Sequence, residues 1–515
     1  METASTSIFG RLENMSDWLS PIVVKEVRQI VRGREFLYSF AISLVAGLVV
    51  ASLGGTSSIE GNTTAGATIF GWLMTCLTIV GIVVVPVGTF MALRNERMER
   101  TFDLIMLTTL PPRRVVIGKI LAQAVKLVTL FAALAPFMAM SFLLGGIDLV
   151  TILISLGMLF LWSLWACAAC LFLSSAVKSR AMSGAMLALM GFGYLLLLIG
   201  GGGAGISYMI RSSMYGGGYP GYYGGPGGSF WAFGGSASSM FWGISVTVSL
   251  CLVTMSNLVF LAENCLALED EDRSFPLRVG LFAQFLMIIG WTFIPPLILP
   301  AGSGFTGTNA FYLLCGVGGA QLIIESLFMT TENLVLSRRT LLRDRPTRFF
   351  SWLTVIFRPG GGRAVAYLLT KMALLILFAF LMAPTNSDFR WALAFCGYIA
   401  LFTGVPVYVA RLISPQRSNP LKLRLAMLLT FLAALLLPEL ARYFMDGPIN
   451  PKTVSLRVLL NPVLTLGDWD KIGELSQTLS IGLGLLGLFA YVRLIMLGRR
   501  LNKPAVAKAM AANAR

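Results

Sequence analysis

Side chains able to do chemistry are scarce in this chain, and most stand where chemistry would be costly. There is no histidine among 515 residues, which removes the commonest general base and proton shuttle. Cys167 and Cys170 form a CxxC pair inside an apolar run. Without histidine or a nearby carboxylate that spacing makes no metal site, and none is expected. The other cysteines (Cys76, Cys251, Cys265, Cys315 and Cys396) show no disulfide framework. What remains are ionisable groups inside apolar runs, which are expensive at membrane depth and mark pathways or internal pairs. Lys119, Gln123 and Lys126 follow i, i+4, i+7 along one run. Both lysines lie within about 20 Å of its polar start by helix rise, so they are expected to snorkel. Glu325, Lys371 and Glu439 are the others. Glu325 lies deepest and is the candidate for a role in transport; no catalytic residue and no cofactor are assigned.

The densest charge lies outside the runs, in ERMERTFDLIMLTTLPPRRVVIGK at 96–119. Glu96, Arg97, Glu99, Arg100 and Asp103 mix both signs, while Met98, Phe102, Ile105 and Met106 recur at helical spacing. Pro111 and Pro112 must end that turn of helix, because neither can continue the hydrogen-bond ladder. Charges that only set orientation would explain the arginines. Interleaved acids with an apolar stripe point to a docking surface for a soluble partner.

These segments are carried by an unusually apolar chain. It is 56% hydrophobic and 12% charged, with a mean hydropathy of +0.78, against about 25% charged in soluble domains. The apolar residues come in continuous runs long enough to cross a hydrocarbon core of about 30 Å as helices. The expected fold is an all-α polytopic membrane protein. Twelve spans are expected near 36–54, 67–92, 115–144, 149–176, 182–203, 239–262, 279–300, 309–335, 364–384, 389–412, 423–441 and 475–497. Lys and Arg gather in alternate loops, which by the positive-inside rule places both termini in the cytoplasm. The net charge of +16 follows from those loops and implies no nucleic acid. The first residues are charged and polar, without a cleavable signal pattern.

Long outer loops near 204–238 and 442–474 divide the chain six plus six. The expected organisation is a cytoplasmic amphipathic segment 1–35, a first membrane half 36–262, an acidic linker 263–278, a second half 279–498 and a basic tail 499–515. The Gly/Tyr run YGGGYPGYYGGPGG in the first outer loop reads as a spacer. In SPIVVKEVRQIVRGREF at 20–36, Pro21 suits a first helical turn. Val23, Val27, Ile30 and Val31 oppose Lys25, Arg28 and Arg32, which describes an interfacial helix. Phe349, Trp352, Leu353 and Ile356 form a second such face among arginines, suited to an anionic inner leaflet.

The 96–119 segment resembles the cytoplasmic stretch between the second and third helices of type-2 ABC transporter permeases. Glu96, Arg97, Thr101, Asp103, Leu104, Leu107, Pro111, Arg113, Gly118 and Lys119 occupy the positions of that pattern, with TTLPP where a T-P-L-P order is commoner. SPIVVKEVR resembles the family's N-P-I-x-x-K-E-x-R helix, with Ser20 in place of Asn and Glu26 at the acidic position. The resemblance is strongest over 1–262. It implies a permease, not an enzyme, in a bacterial inner membrane, coupled through 96–113 to a separate ATPase subunit. The chain has no G-x-x-x-x-G-K-[ST] loop of its own. Family members export drugs, lipids, polysaccharides or ions, and the sequence selects none. Nor does it say whether one chain or a dimer of chains forms the pore. Two alternatives stand beside this reading: a secondary transporter, which twelve helices in two halves would suit, and an integral membrane transferase.

Overall fold

The computed structural model describes residues 21–59, 65–99, 112–144, 148–177, 237–266, 274–294, 307–335, 355–413, 420–446, 461–467 and 474–513, with 184, 459 and 469. Among them are helices and turns but no strand. Ten helices among the described residues are long and apolar enough to cross a membrane. Their outward faces are greasy: Leu37, Ile42, Val45 and Leu48 on one helix, and Leu485, Leu486 and Phe489 on another, are all exposed. Apolar surface of that extent is stable only against lipid. The protein is a multi-pass α-helical membrane protein.

The chain divides into two compact units, Met1–Glu271 and Asp272–Arg515. In the first, a short α1 (Pro21–Arg32) precedes the span α2 (Arg34–Ile59). The second span is α3 (Ala65–Thr78), a π-helical segment (Ile79–Val84) and α4 (Val85–Met98) in continuous succession. Then follow α5 (Pro112–Leu143), α6 (Leu149–Ala176) and α7 (Ala237–Leu266). α1 packs on α5, and α6 packs on both α4 and α7. Phe70, Leu73, Leu77, Leu134 and Met138 build one core cluster. Val85, Leu127, Leu130 and Cys167 build another.

The second unit holds α8 (Ser274–Phe293), then α9 (Gly307–Leu313), a π segment (Leu314–Gly318) and α10 (Gly319–Met329). It continues with α11 (Gly361–Met382), α12 (Asn386–Ile413), α13 (Pro420–Asp446), α14 (Pro462–Gly467) and α15 (Glu474–Asn513). α12 and α15 run together most closely, because glycines let their backbones touch. A Cβ on Gly397 would lie 2.7 Å from Gly484 Cα, a backbone atom that cannot yield. Gly397→Val should therefore destabilise this unit by roughly 1–3 kcal/mol, read as a lower unfolding midpoint in detergent. Gly482→Val, where a Cβ meets nothing within 4 Å, should leave the midpoint unchanged.

Many hydroxyls within the spans are satisfied locally. Thr78, Thr89, Ser163 and Thr403 each donate to the carbonyl four residues back, so no hydroxyl among them stands bare in apolar surroundings. The expected boundaries shift in three places. The 309–335 span stops at Met329 and gives way to turns. α8 begins at Ser274, inside the expected linker, and the basic tail continues α15 as helix to Asn513. The expected span 182–203 and the Gly/Tyr run lie outside the described residues.

Candidate functional site

Buried charge networks, one in the first unit and two in the second, gather Glu26, Glu96, Lys119, Glu325 and Lys371 from the ionisable groups that the sequence singles out. In the first unit the centre is Lys119 on α5. Its Nζ donates to Glu26 Oε1 of α1 at 3.0 Å and to Glu96 Oε1 of α4 at 2.8 Å. Lys119 and Glu26 are buried and Glu96 is half-buried. One ammonium between two carboxylates is a strong charge-assisted arrangement, and it binds three helices at one point.

The neighbouring Arg97 reaches a fourth. Its Nη1 donates to the carbonyls of Ser174, Ser175 and Val177 at the end of α6, at 3.5 Å for Ser174 and 3.3 Å for Val177. Those are among the carbonyls a helix leaves without intrahelical partners, and a cation there also suits the helix dipole. Ser174 Oγ adds a 3.0 Å bond to Phe90 O of α4.

Glu96 and Arg97 therefore point into the protein. They sit in the last turn of α4, which runs to Met98, rather than in a loop. Glu99 follows and is exposed. Pro112 is the first residue of α5, as its fixed φ favours. Arg113 is exposed, with its guanidinium 5.2 Å from the Phe260 ring centre. Arg100, Thr101, Asp103, Leu107 and Pro111 lie outside the described residues. On α1, which starts at Pro21, Glu26 turns inward while Lys25, Arg28 and Arg32 are exposed.

The lysines of α5 depart from expectation. Lys119 and Lys126 are 4% and 6% exposed, so neither snorkels. Lys119 stays inside because Glu26 and Glu96 neutralise it where it stands.

In the second unit, Lys371 of α11 donates to Glu325 of α10 at 2.6 and 2.9 Å and to Leu281 O of α8 at 3.1 Å. Gln321, one turn before Glu325, donates to Glu325 Oε1 at 2.7 Å and to Leu281 O at 2.8 Å. The Lys371 ammonium also lies 4.8 Å from the Phe285 ring centre and 5.2 Å from that of Tyr367. Both ions are almost wholly enclosed, with side chains 0% and 3% exposed. A second knot ties the ends of α8, α10, α11 and α12. Arg278, assigned by the sequence to the linker, is fully buried within α8. It binds Glu332, Ile356 O and Arg358 O, while Arg411 binds Thr330 O and Glu332 O. Phe349, Trp352 and Leu353 and the side chain of Glu439 lie outside the described residues.

Sequence reasoning picked Glu325 and Lys371 separately but missed that they pair. Gln321 at i−4 from Glu325 was the available local signal. It also missed Lys119 as the junction of α1 and α4, for which no local signal exists. Comparison with protein-family models, curated proteins and solved structures finds no match for the chain.

Proposed function

We propose that this chain is the membrane-spanning permease of an ATP-driven exporter in a bacterial inner membrane, moved by a separate ATPase subunit that docks on the 96–113 segment. The observation that carries this reading is the Lys119 knot with Arg97 beside it. The segment leaves α4 at the residues that clamp α1, α5 and α6. A displacement applied beyond Met98 therefore acts on four helices together, as a coupling element must. Glu99 and Arg113, exposed on either side of the segment, offer both charge signs to a partner. The six-plus-six arrangement with cytoplasmic termini belongs to the same reading. It is supported by each unit having a π segment in its second span and by close packing of α6 on α7 and of α12 on α15. The permease itself catalyses nothing.

The experiment is co-purification from native membranes in mild detergent. The native chain should bring down a nucleotide-hydrolysing subunit, and Glu99→Ala/Arg113→Ala should lower its recovery at least about tenfold. Recovery of no such subunit with folded chain would overturn the proposal.

The buried Glu325–Lys371 pair supports a second reading, secondary transport driven by an ion gradient, since intramembrane charge pairs mark such pathways. It is the weaker one, because every partner of the pair is a fixed internal group. Transport abolished by a protonophore while ATP is held constant would favour it.

A further inference from the structure

Gln123 and Lys126 lie one turn apart on α5, and each is more than nine-tenths buried. Among the described residues Gln123 Oε1 has no hydrogen-bond partner. Lys126 is absent from every ion pair within 4.0 Å there. An unmatched ammonium inside an apolar bundle is strongly unfavourable and calls for an anion. The carboxylate whose charge acts on Lys126 is Glu35, at the start of α2. Between them stands Gly88 of α4. A Cβ there would lie 3.6 Å from Glu35 Oε2 and 3.9 Å from Lys126 Nζ. Both charges thus border the gap that Gly88, lacking a side chain, leaves on α4, beyond ion-pair reach of each other but each within 4 Å of the point a Cβ would occupy.

We propose that this gap binds a zwitterionic headgroup with a phosphate or carboxylate and a primary ammonium, as an aminophospholipid presents. The anion would meet Lys126, and the ammonium N–H groups would meet Glu35 and Gln123 Oε1. A purely anionic headgroup would be repelled by Glu35 and a purely cationic one by Lys126, while a quaternary ammonium has no N–H to donate. Entry is from the α2 side, where Glu35 is exposed. Leu37 and Tyr38, exposed on the same helix, offer apolar surface to acyl chains. The site belongs to the chain alone and stands whether or not an ATPase drives it.

Binding to the purified full-length chain is measured in mixed micelles containing phosphatidylethanolamine, phosphatidylcholine or phosphatidylglycerol, with free O-phosphoethanolamine as competitor. The ethanolamine lipid should bind about tenfold more tightly than the other two. Lys126→Met and Glu35→Gln should each weaken it at least about tenfold, while Lys126→Arg retains it. Gly88→Val keeps both charges but fills the gap and should weaken it as much. The unfolding midpoint without lipid reports that each variant is folded. Competition by free phosphoethanolamine at equal affinity would assign the same chemistry to a soluble zwitterion, and weak competition assigns it to the lipid. Phosphatidylglycerol binding as tightly as the ethanolamine lipid, or an ethanolamine-lipid affinity unmoved by both Gly88→Val and Lys126→Met, would overturn the proposal.

Discussion

Lys371→Met lowers the stability of the second unit by about 3–5 kcal/mol, the usual cost of removing one member of a buried ion pair. The loss comes chiefly from what is left behind. Glu325, 3% exposed, would lose the cation that neutralises it while keeping the Gln321 amide, and Leu281 O would lose the ammonium. Glu325→Leu should be comparably damaging, because it strands a fully buried ammonium against Phe285 and Tyr367. The double variant Glu325→Leu/Lys371→Met should recover most of the loss, since a matched apolar replacement of a buried pair is often near neutral. Unfolding in detergent, run as a double-mutant cycle, checks this. Additive single effects would show that the pair is not coupled. If the double variant is stable but transport is abolished, the pair has a role in transport beyond holding α10 to α11.

The second large effect is expected at Lys119. Replacing it with Met removes the ammonium that Glu26 and Glu96 share at the junction of α1, α4 and α5. The cost is about 3–5 kcal/mol, and it falls at the point where the 96–113 segment enters the membrane unit. Lys119→Arg keeps the charge but has a planar fork in place of a compact ammonium, so it should be milder. Under the proposed function, Lys119→Met should keep ATPase recovery near native, because Glu99 and Arg113 are untouched. It should nevertheless lose most of the stimulation of ATP hydrolysis by cargo. A variant that lost partner and stimulation together would place Lys119 at the docking surface instead.

The spans were readable because a run of roughly twenty apolar residues admits few conformations in lipid. The window 149–176 coincides with α6. Their interruptions were not readable. The π segments Ile79–Val84 and Leu314–Gly318 have ordinary apolar sequences. They hold small residues that meet another helix, Gly81 beside Ser163 and Gly318 beside Phe285, so packing rather than propensity identifies them. The charged segment at 96–113 was visible as a motif, but which of its charges face inward was not. Glu96 is paired 23 residues away and Glu26 93 residues away, both on Lys119, and pairings at such separation leave no periodic trace. Arg278 was misplaced for the same reason: its partner Glu332 stands 54 residues on, and a lone arginine near a run of acids looks like linker.

The most direct test of the central claim is site-specific photo-crosslinking in native membranes, with the reactive side chain at position 99 and, as a control, at position 482. Position 99 follows α4 and is exposed, while position 482 lies within a spanning helix. A nucleotide-binding subunit captured at 99 and not at 482 is the predicted result. Folded chain that captures no such subunit at 99, with or without ATP, would contradict the exporter account and bring the ion-driven transporter forward.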